Sequence, residues 1–488
     1  MNFLLPAAPV SLTHIFLSIF KNNRDTFPII LDPPEKVTAF IPVFNDEEQI
    51  RDTISSIMNQ TKRPEEIIIS DNGSTDNTYQ VITRYLKDKG YLLKISSVKT
   101  GFFSSYTYIN NQLSYPPAIV VKYVAQVSKA ESIKRAKKNG LIHHPRTLIV
   151  DSDTILHPKF IEEIDRYYYT LKLYKNKAFI VKSNILAATC LPKRNTKTSF
   201  QEKIVTMARD IEYAFGHFLI KKGQNHTALY VATGCGFLCL TDLMEMSGKT
   251  VADDLELTQR IQSKKTVKRL NSIEELERLL KNKAKIITPQ GNKNLDSFLK
   301  ESSREIYFVD NAATYISSAL MFTQDPRNLK NLWRQTYRWN SGFHQVMYLE
   351  GKNITRKNKK IMFTLYGALF EGLIGSIYFL ILPVFGLYEV FSGYLYFFFK
   401  YLLLFYLLDF ILQSVFIVIS LYQRNLLLGM NKSRVLKNSF VTTIKNLPYF
   451  YLLRFINSFQ FLYTYLKTKL EVFIFKKRSW ASTWSRGL

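Results

Sequence analysis

Two apolar runs with the composition of buried strands end on acids. EEIIISD (65–71) ends on Asp71 and enters the turn NGSTDNT, where Asp76 is placed to cap a following helix. TLIVDSD (147–153) ends on Asp151 and Asp153, two residues apart. Residues i and i+2 leave a strand on the same side, so both carboxylates can serve one hard cation. Oxygen ligands of this kind suit Mg2+ or Mn2+, which keep waters and bridge to substrate phosphates. A single Asp-x-Asp also reads as a solvated turn. Further on, VADDLELTQRIQ (251–262) sets Asp253 and Asp254 at a helix start. A carboxylate there either caps the helix or, in a cleft, acts as a general base. Finally, RQTYRWNSG (334–342) carries Gln335, Arg338 and Trp339 on one helical stretch. Arg338 can chelate a phosphate, and Trp339 offers a flat apolar face to a ring. Arg–Trp pairs are also ordinary at membrane interfaces.

The elements that must position these residues follow from the pattern around them. KVTAFIPVF (36–44), EEIIISD and TLIVDSD are short apolar runs bounded by turn residues. DEEQIRDTISSIMNQ (46–60) lies between the first two with helical spacing and acids in its first turn. Such alternation predicts an α/β domain over 36–345, with right-handed crossovers and a parallel sheet. In open parallel sheets ligands bind beyond the carboxyl ends of the strands, where Asp71, Asp151 and Asp153 fall. The Lys-, Asn- and Glu-rich segment 264–306 reads as an insertion.

The chain has 488 residues, 66 Lys+Arg against 39 Asp+Glu, a net charge of +27 and 47% apolar residues. That apolar content excludes a disordered chain, and three cysteines exclude a disulfide scaffold. The charge implies an anionic partner: nucleic acid, lipid headgroups or a phosphorylated substrate. From Ile361 onward only four acids occur, Glu371, Glu389, Asp409 and Glu471. Residues 361–388 and 390–422 each exceed the roughly 20 apolar residues needed to cross a bilayer. Both are expected to span, in a multi-pass membrane protein whose basic flanks and catalytic domain are cytoplasmic. Residues 440–466, interrupted by Lys445 and Arg454, fit an interfacial helix followed by a basic cytosolic tail. Residues 1–35 read as an apolar anchor or interfacial segment. Cys235 and Cys239 resemble a metal pair only superficially, and KRAKK (134–138) fits a solvated helix face better than a nucleic-acid patch.

Taken in order, "NDEE", "SDNGSTD", "DSD", "ADD" and "QTYRW" followed by membrane helices resemble the processive family 2 glycosyltransferases. That group includes cellulose, chitin, hyaluronan and poly-N-acetylglucosamine synthases. The resemblance implies a GT-A-like nucleotide-sugar-binding domain joined to a helical membrane region. It implies an inverting hexosyltransferase that passes glucose or N-acetylglucosamine from a UDP-sugar to a growing β-linked polysaccharide. Single-sugar transfer to a lipid acceptor, and a catalytically inactive membrane scaffold, remain open beside it. Position by position, IPVFND (41–46), with Pro42 and Asp46, matches the first nucleotide-contacting strand end, and Asp71 the acid on the uracil side. SKAESI (128–133) matches a Gly-Lys-Ala segment, placing Lys129 at the diphosphate. Asp151 and Asp153 match the metal motif for Mg2+ or Mn2+, and Asp254 the catalytic base. TGCGF (233–237), with Gly234 and Cys235, matches the loop beside the acceptor. Gln335, Arg338 and Trp339 match the motif that closes over the pyrophosphate and meets the acceptor sugar. Nucleic acid then drops out as a partner. Lipids, donor and acceptor remain, with an oligomer or export partner implied by so few membrane helices.

Overall fold

Val37–Val43, Glu66–Asp71, Ala118–Tyr123 and Arg146–Val150 form the middle of one sheet in the computed structural model. It describes residues 8–21, 26–99, 101–110, 115–193, 199–302, 304–392, 397–477 and 480. The spatial order is Arg146–Val150, Val37–Val43, Glu66–Asp71, Ala118–Tyr123, and all four strands are parallel. Every residue of Val37–Val43, Glu66–Asp71 and Arg146–Val150 is buried. Continuous burial of this kind is what a strand covered on both faces requires.

Helix Ile50–Met58 carries the chain from the first strand to the second, with Ile50, Ile54 and Ile57 turned to the core. It starts later than the acidic run from 46 suggests. Asp46 is held in the preceding loop, its N–H donating to Thr78 Oγ1 at 2.8 Å. Asp76 accepts from the backbone N–H of Thr78 at 3.0 Å, although Asn77 occupies the cap position.

The expectation of a parallel sheet needs correction outside this core, because the sheet is mixed. Gly236–Leu240 runs antiparallel to Arg146–Val150, and Tyr91–Lys99 pairs antiparallel with Phe103–Asn110. The parallel ladders of the core fall where helices supply crossovers, whereas strands joined by short connections, with no room for a crossover helix, pair antiparallel.

Segment 264–306 is stitched into the sheet edges. Thr266–Leu270 pairs with Glu305–Thr323, and Lys283–Thr288 pairs with Thr26–Asp32. The last of these falls inside the stretch expected as an anchor over 1–35. It is a sheet strand, with Ile29 and Leu31 buried and Ile30 exposed, and it also pairs with Tyr169–Tyr174. Ahead of it, helix Pro9–Phe20 is capped from a distance: the Glu371 carboxylate accepts the N–H groups of Val10 and Ser11 at 2.5 and 3.0 Å.

Helices Lys359–Ser392 and Phe397–Leu427 follow the sheet and the helix Leu329–Leu349. Within them Lys359–Leu380 and Leu403–Leu427 are long and apolar enough to cross a membrane. The stretch expected over 440–466 is part of one 42-residue helix, Lys432–Phe473. Its outer side exposes Phe440, Ile444, Phe455 and Phe459, while Asn446, Arg454, Asn457 and Gln460 are buried. The buried polar groups are used: Arg454 pairs with Asp409 at 2.8 Å, and Gln460 donates to the Trp333 carbonyl at 2.8 Å. The helix therefore ties the apolar helix Phe397–Leu427 to Leu329–Leu349. Most of the closing basic tail lies outside the described residues.

Candidate active site

The strand order reverses between Val37–Val43 and Arg146–Val150, and the carboxyl ends of strands at such a switch point are where open α/β sheets bind ligands. Their pairing stops at Phe40 and Ile149. Pro42, which has no N–H to contribute, therefore sits where the ladder parts. Beyond it Asp46 is buried, and its Oδ2 accepts from Ser152 Oγ at 2.5 Å. The first loop is thereby fastened to the residue between Asp151 and Asp153.

Asp71 is fully buried at the end of the neighbouring strand. Its Oδ1 accepts from the Ser74 N–H at 2.9 Å, whereas Oδ2 has no hydrogen-bond partner. Burial raises its pKa, opposed by the Ser74 hydrogen bonds and Lys122. The turn after it requires Gly73, whose φ is +88° and where a Cβ would lie 2.6 Å from the Ala125 carbonyl carbon. An acceptor oxygen is left buried at the carboxyl end of the strand without a donor.

The centre of the site is the turn Thr233–Gly236, closed by the Gly236 N–H to Thr233 carbonyl bond at 2.9 Å. Lys129 is the first residue of helix Lys129–Lys138, which Ser128 caps through the Glu131 N–H. Its Nζ donates to Asp151 Oδ1 at 2.7 Å and to the Gly234 carbonyl at 3.0 Å. Burial pulls the pKa of Lys129 down, but the carboxylates of Asp151 and Asp254 outweigh it and the net shift is upward. The Asp151 N–H donates to the Cys235 carbonyl at 2.9 Å. Asp153 Oδ1 accepts from Thr154 and Thr323 hydroxyls at 3.3 and 3.4 Å. Among the described residues no group of three or more His, Cys, Asp or Glu is gathered for a metal. Two carboxylates nevertheless fit Mg2+ or Mn2+, which use one or two protein carboxylates and complete their shell with water and phosphate.

Asp254 approaches the same turn from helix Asp253–Ser263. A Cβ on Gly234 would lie 2.4 Å from Asp254 Oδ2, so a glycine is needed there for the carboxylate to come so close. Asp254 does not cap its helix from the N-cap position, which is Ala252; its Oδ1 accepts from the Leu255 N–H at 2.9 Å. Burial raises its pKa, with Lys129 and Lys221 pulling the other way. Beside it, burial and the charges of Asp254 and Glu256 push Asp253 up to about 7. The helix start is pinned by Leu329–Leu349: Gln345 Oε1 accepts from the Val251 N–H at 3.1 Å, and Gly342 packs on Ala252.

Gln335, Arg338 and Trp339 lie on that helix, Leu329–Leu349, and Arg338 acts electrostatically on Asp253. Sequence reasoning missed what holds the other two. Arg209, fully buried on helix Phe200–Phe215, pairs with Glu212 and donates to Gln335 Oε1. Its guanidinium carbon lies 4.6 Å from the Trp339 ring centroid. Trp339 therefore presents a ring that is 42% exposed over a buried cation. Nearby Asp325 is buried with neither carboxyl oxygen hydrogen-bonded, and burial pushes it up to about 8 against the pull of Arg209. The only hint of Arg209 in the sequence is a basic residue amid the apolar positions of an amphipathic helix. Asp325 carries no motif at all.

A sheet with a parallel core and antiparallel flanks, helices on its faces, acids at its switch point and apolar helices after it has the architecture of the GT-A fold joined to a helical membrane region. The family comparison agrees. Glycosyl transferase family 2 matches residues 38–108, and Glycosyl transferase family group 2 matches residues 147–412. The chain belongs to the family 2 glycosyltransferases. It is similar to the poly-beta-1,6-N-acetyl-D-glucosamine synthase of Staphylococcus epidermidis, 22% identical over 69% of this chain and 61% of that protein. The Staphylococcus aureus synthase is 22% identical over 72% of this chain and 64% of that protein. The chain thus spans less than two thirds of the length of these relatives. Among solved structures, a mannosyltransferase from Pyrobaculum calidifontis in complex with GDP-Man and Mn2+ aligns over 95% of this chain and 98% of that one, with 12% identity and a TM-score of 0.46. S. aureus TarS 1-349 aligns over 86% and 90%, with 11% identity and a TM-score of 0.29.

Proposed function

We propose that this protein is a membrane-bound inverting glycosyltransferase that moves glucose or N-acetylglucosamine from a UDP-sugar to a growing β-linked polysaccharide. The observation that carries this reading is the meeting of Lys129, Asp151 and Asp254 at one turn, Gly234–Cys235. Donor and acceptor chemistry need adjacent groups of these kinds. In the reaction the bond from sugar C1 to the diphosphate breaks as the bond from C1 to the acceptor oxygen forms. Lys129 and Arg338 neutralise the departing diphosphate. Asp254, its basicity increased by burial, takes the proton of the attacking hydroxyl. Attack from the opposite face turns an α-linked donor into a β-glycoside. Asp71 Oδ2, buried without a donor, suits an N–H at the edge of a base. Asp151 and Asp153 would hold Mg2+ or Mn2+, which adds positive charge at the diphosphate. Pro42 and Asp46 shape the nucleotide side; Gly234, Cys235, Gln335 and Trp339 form the acceptor side. The basic flanks of the two apolar helices support a catalytic domain on the cytoplasmic side of the membrane.

The relatives' printed activity makes UDP-N-acetylglucosamine the first donor to test. The two apolar helices among the described residues would make a sparse export path, which keeps single-sugar transfer to a lipid as the second reading. Release of UDP from the purified chain, screened over UDP-sugars with Mg2+, Mn2+ or chelator, tests the class. Labelled donor then separates a ladder of products from one glycolipid. Asp254→Asn is expected to abolish transfer and leave UDP binding within about twofold; retained turnover sinks the base assignment. No UDP release from any donor returns the inactive scaffold.

A further inference from the structure

The helical run from Phe200 to Gln224 is α-helical at both ends and π-helical over Gly216–Lys221. A π-turn inside an α-helix re-aims the side chains that follow, and such turns collect at functional sites. Here it delivers Lys221. The Lys221 Nζ donates to Thr233 Oγ1 at 3.0 Å, and Thr233 Oγ1 donates to the Ala188 carbonyl at 2.5 Å. Thr233 immediately precedes Gly234, the residue against which Asp254 rests. The titratable groups acting on Lys221 are Cys235, Asp254 and Cys190, with His217 on its own turn. Helices Pro9–Phe20 and Phe397–Leu427 and strand Glu305–Thr323 also pack on this turn. None of their described residues adds a charge to that set.

We propose that Lys221 is a positioning residue for the acceptor step, holding the Thr233–Cys235 turn against Asp254 and supplying a second cation beside the base. The inference rests on the role proposed for Asp254. The two lysines divide the work. Lys129 is committed to Asp151 and, during turnover, to the diphosphate. Lys221 makes no ion pair among the described residues, so its charge remains to favour the carboxylate form of Asp254. Burial also pulls Lys221 down to about 8, against Cys235, Asp254 and Cys190. Its ammonium is therefore lost as pH rises through that value.

The test is the pH profile of turnover by the full chain in lipid nanodiscs, for the wild type, Lys221→Arg and Lys221→Met, with UDP titration alongside. The wild-type kcat is expected to fall on the alkaline side with a midpoint near 8. Lys221→Arg, whose guanidinium keeps its charge, is expected to hold its rate there. Lys221→Met is expected to lose about ten- to a hundredfold in kcat at neutral pH with UDP affinity within about twofold, and its acidic limb should move up. The inference is overturned if Lys221→Arg keeps the wild-type alkaline fall, or if Lys221→Met weakens UDP binding as much as it slows turnover. A Lys221→Met chain that fails to fold, read from its circular dichroism and thermal unfolding, leaves the decision to the arginine variant. Turnover that survives Asp254→Asn removes the base assignment and this inference together. Turnover that needs Asp254 but ignores both Lys221 variants removes this inference alone.

Discussion

Adding one methyl group at Gly234 isolates the contact on which the proposed acceptor chemistry depends. An ideal Cβ there lies 2.4 Å from Asp254 Oδ2, whereas ordinary contact begins near 3.4 Å, so something must yield by about 1 Å. The turn is poorly placed to yield. Its carbonyls accept from Lys129 at 3.0 Å and from the Asp151 N–H at 2.9 Å, and the Gly236 N–H closes it at 2.9 Å. The backbone at Gly234 is not in the left-handed region, so alanine is tolerated as a residue and the carboxylate has to move. Misplacing a catalytic group by about 1 Å costs on the order of a hundredfold in rate, about 2.7 kcal/mol of barrier. Gly234→Ala is therefore expected to lower kcat about a hundredfold, measured as steady-state UDP release, with donor KM within about threefold. Gly101→Ala, where nothing lies within 4 Å, is the control and is expected to behave as wild type. A Gly234→Ala enzyme with kcat within about twofold of wild type would refute the reasoning, because the close approach would then have no bearing on the base.

Asp325 gives a pH-dependent stability. A carboxyl whose pKa is raised in the folded state, here to about 8, stabilises fully below its unfolded value and loses that contribution as pH rises through the folded one. Thermal unfolding should shift down by a few degrees between pH 6 and 8.5, and Asp325→Asn should flatten that slope; an unchanged slope in the variant argues against it. The buried pair Arg454–Asp409 gives a second stability test. Asp409→Leu alone is expected to cost about 3–5 kcal/mol, because it strands a buried guanidinium, and Arg454→Met added to it should recover most of the loss. Denaturation of the detergent-solubilised chain reads both, and a double variant no more stable than the single one contradicts the pairing argument.

How much of the site was legible depended on whether one residue or several elements carried the signal. Asp71, Asp151 and Asp254 were visible because their order along the chain resembled one family, although each taken alone also reads as a turn residue or a helix cap. The sheet's antiparallel flanks were not visible, since a strand's apolar pattern does not state the direction of its neighbour. Strand Thr26–Asp32 was hidden for a related reason: its pattern is short, and it is paired on both sides with segments distant in sequence, Lys283–Thr288 some 250 residues away and Tyr169–Tyr174. Arg209, Lys221 and Asp325 belong to no motif. Each matters through a partner brought from elsewhere: Gln335 and Trp339, Thr233 and Asp254, or a buried space without a donor.

The sequence by itself determined which groups are available: acids in pairs, a lysine, an arginine beside a tryptophan, and two apolar stretches long enough for a membrane, with the roles proposed for them coming from the resemblance to one family. Residue type and local periodicity carry those properties, and both survive in the unfolded chain. Only the tertiary structure decided which of these groups meet. The closeness of Asp254 to Gly234, the lysine delivered by a π-turn and the arginine beneath Trp339 are products of packing between distant segments. Burial, which tunes Asp254 and Lys221 in opposite directions, exists only once those segments exclude water.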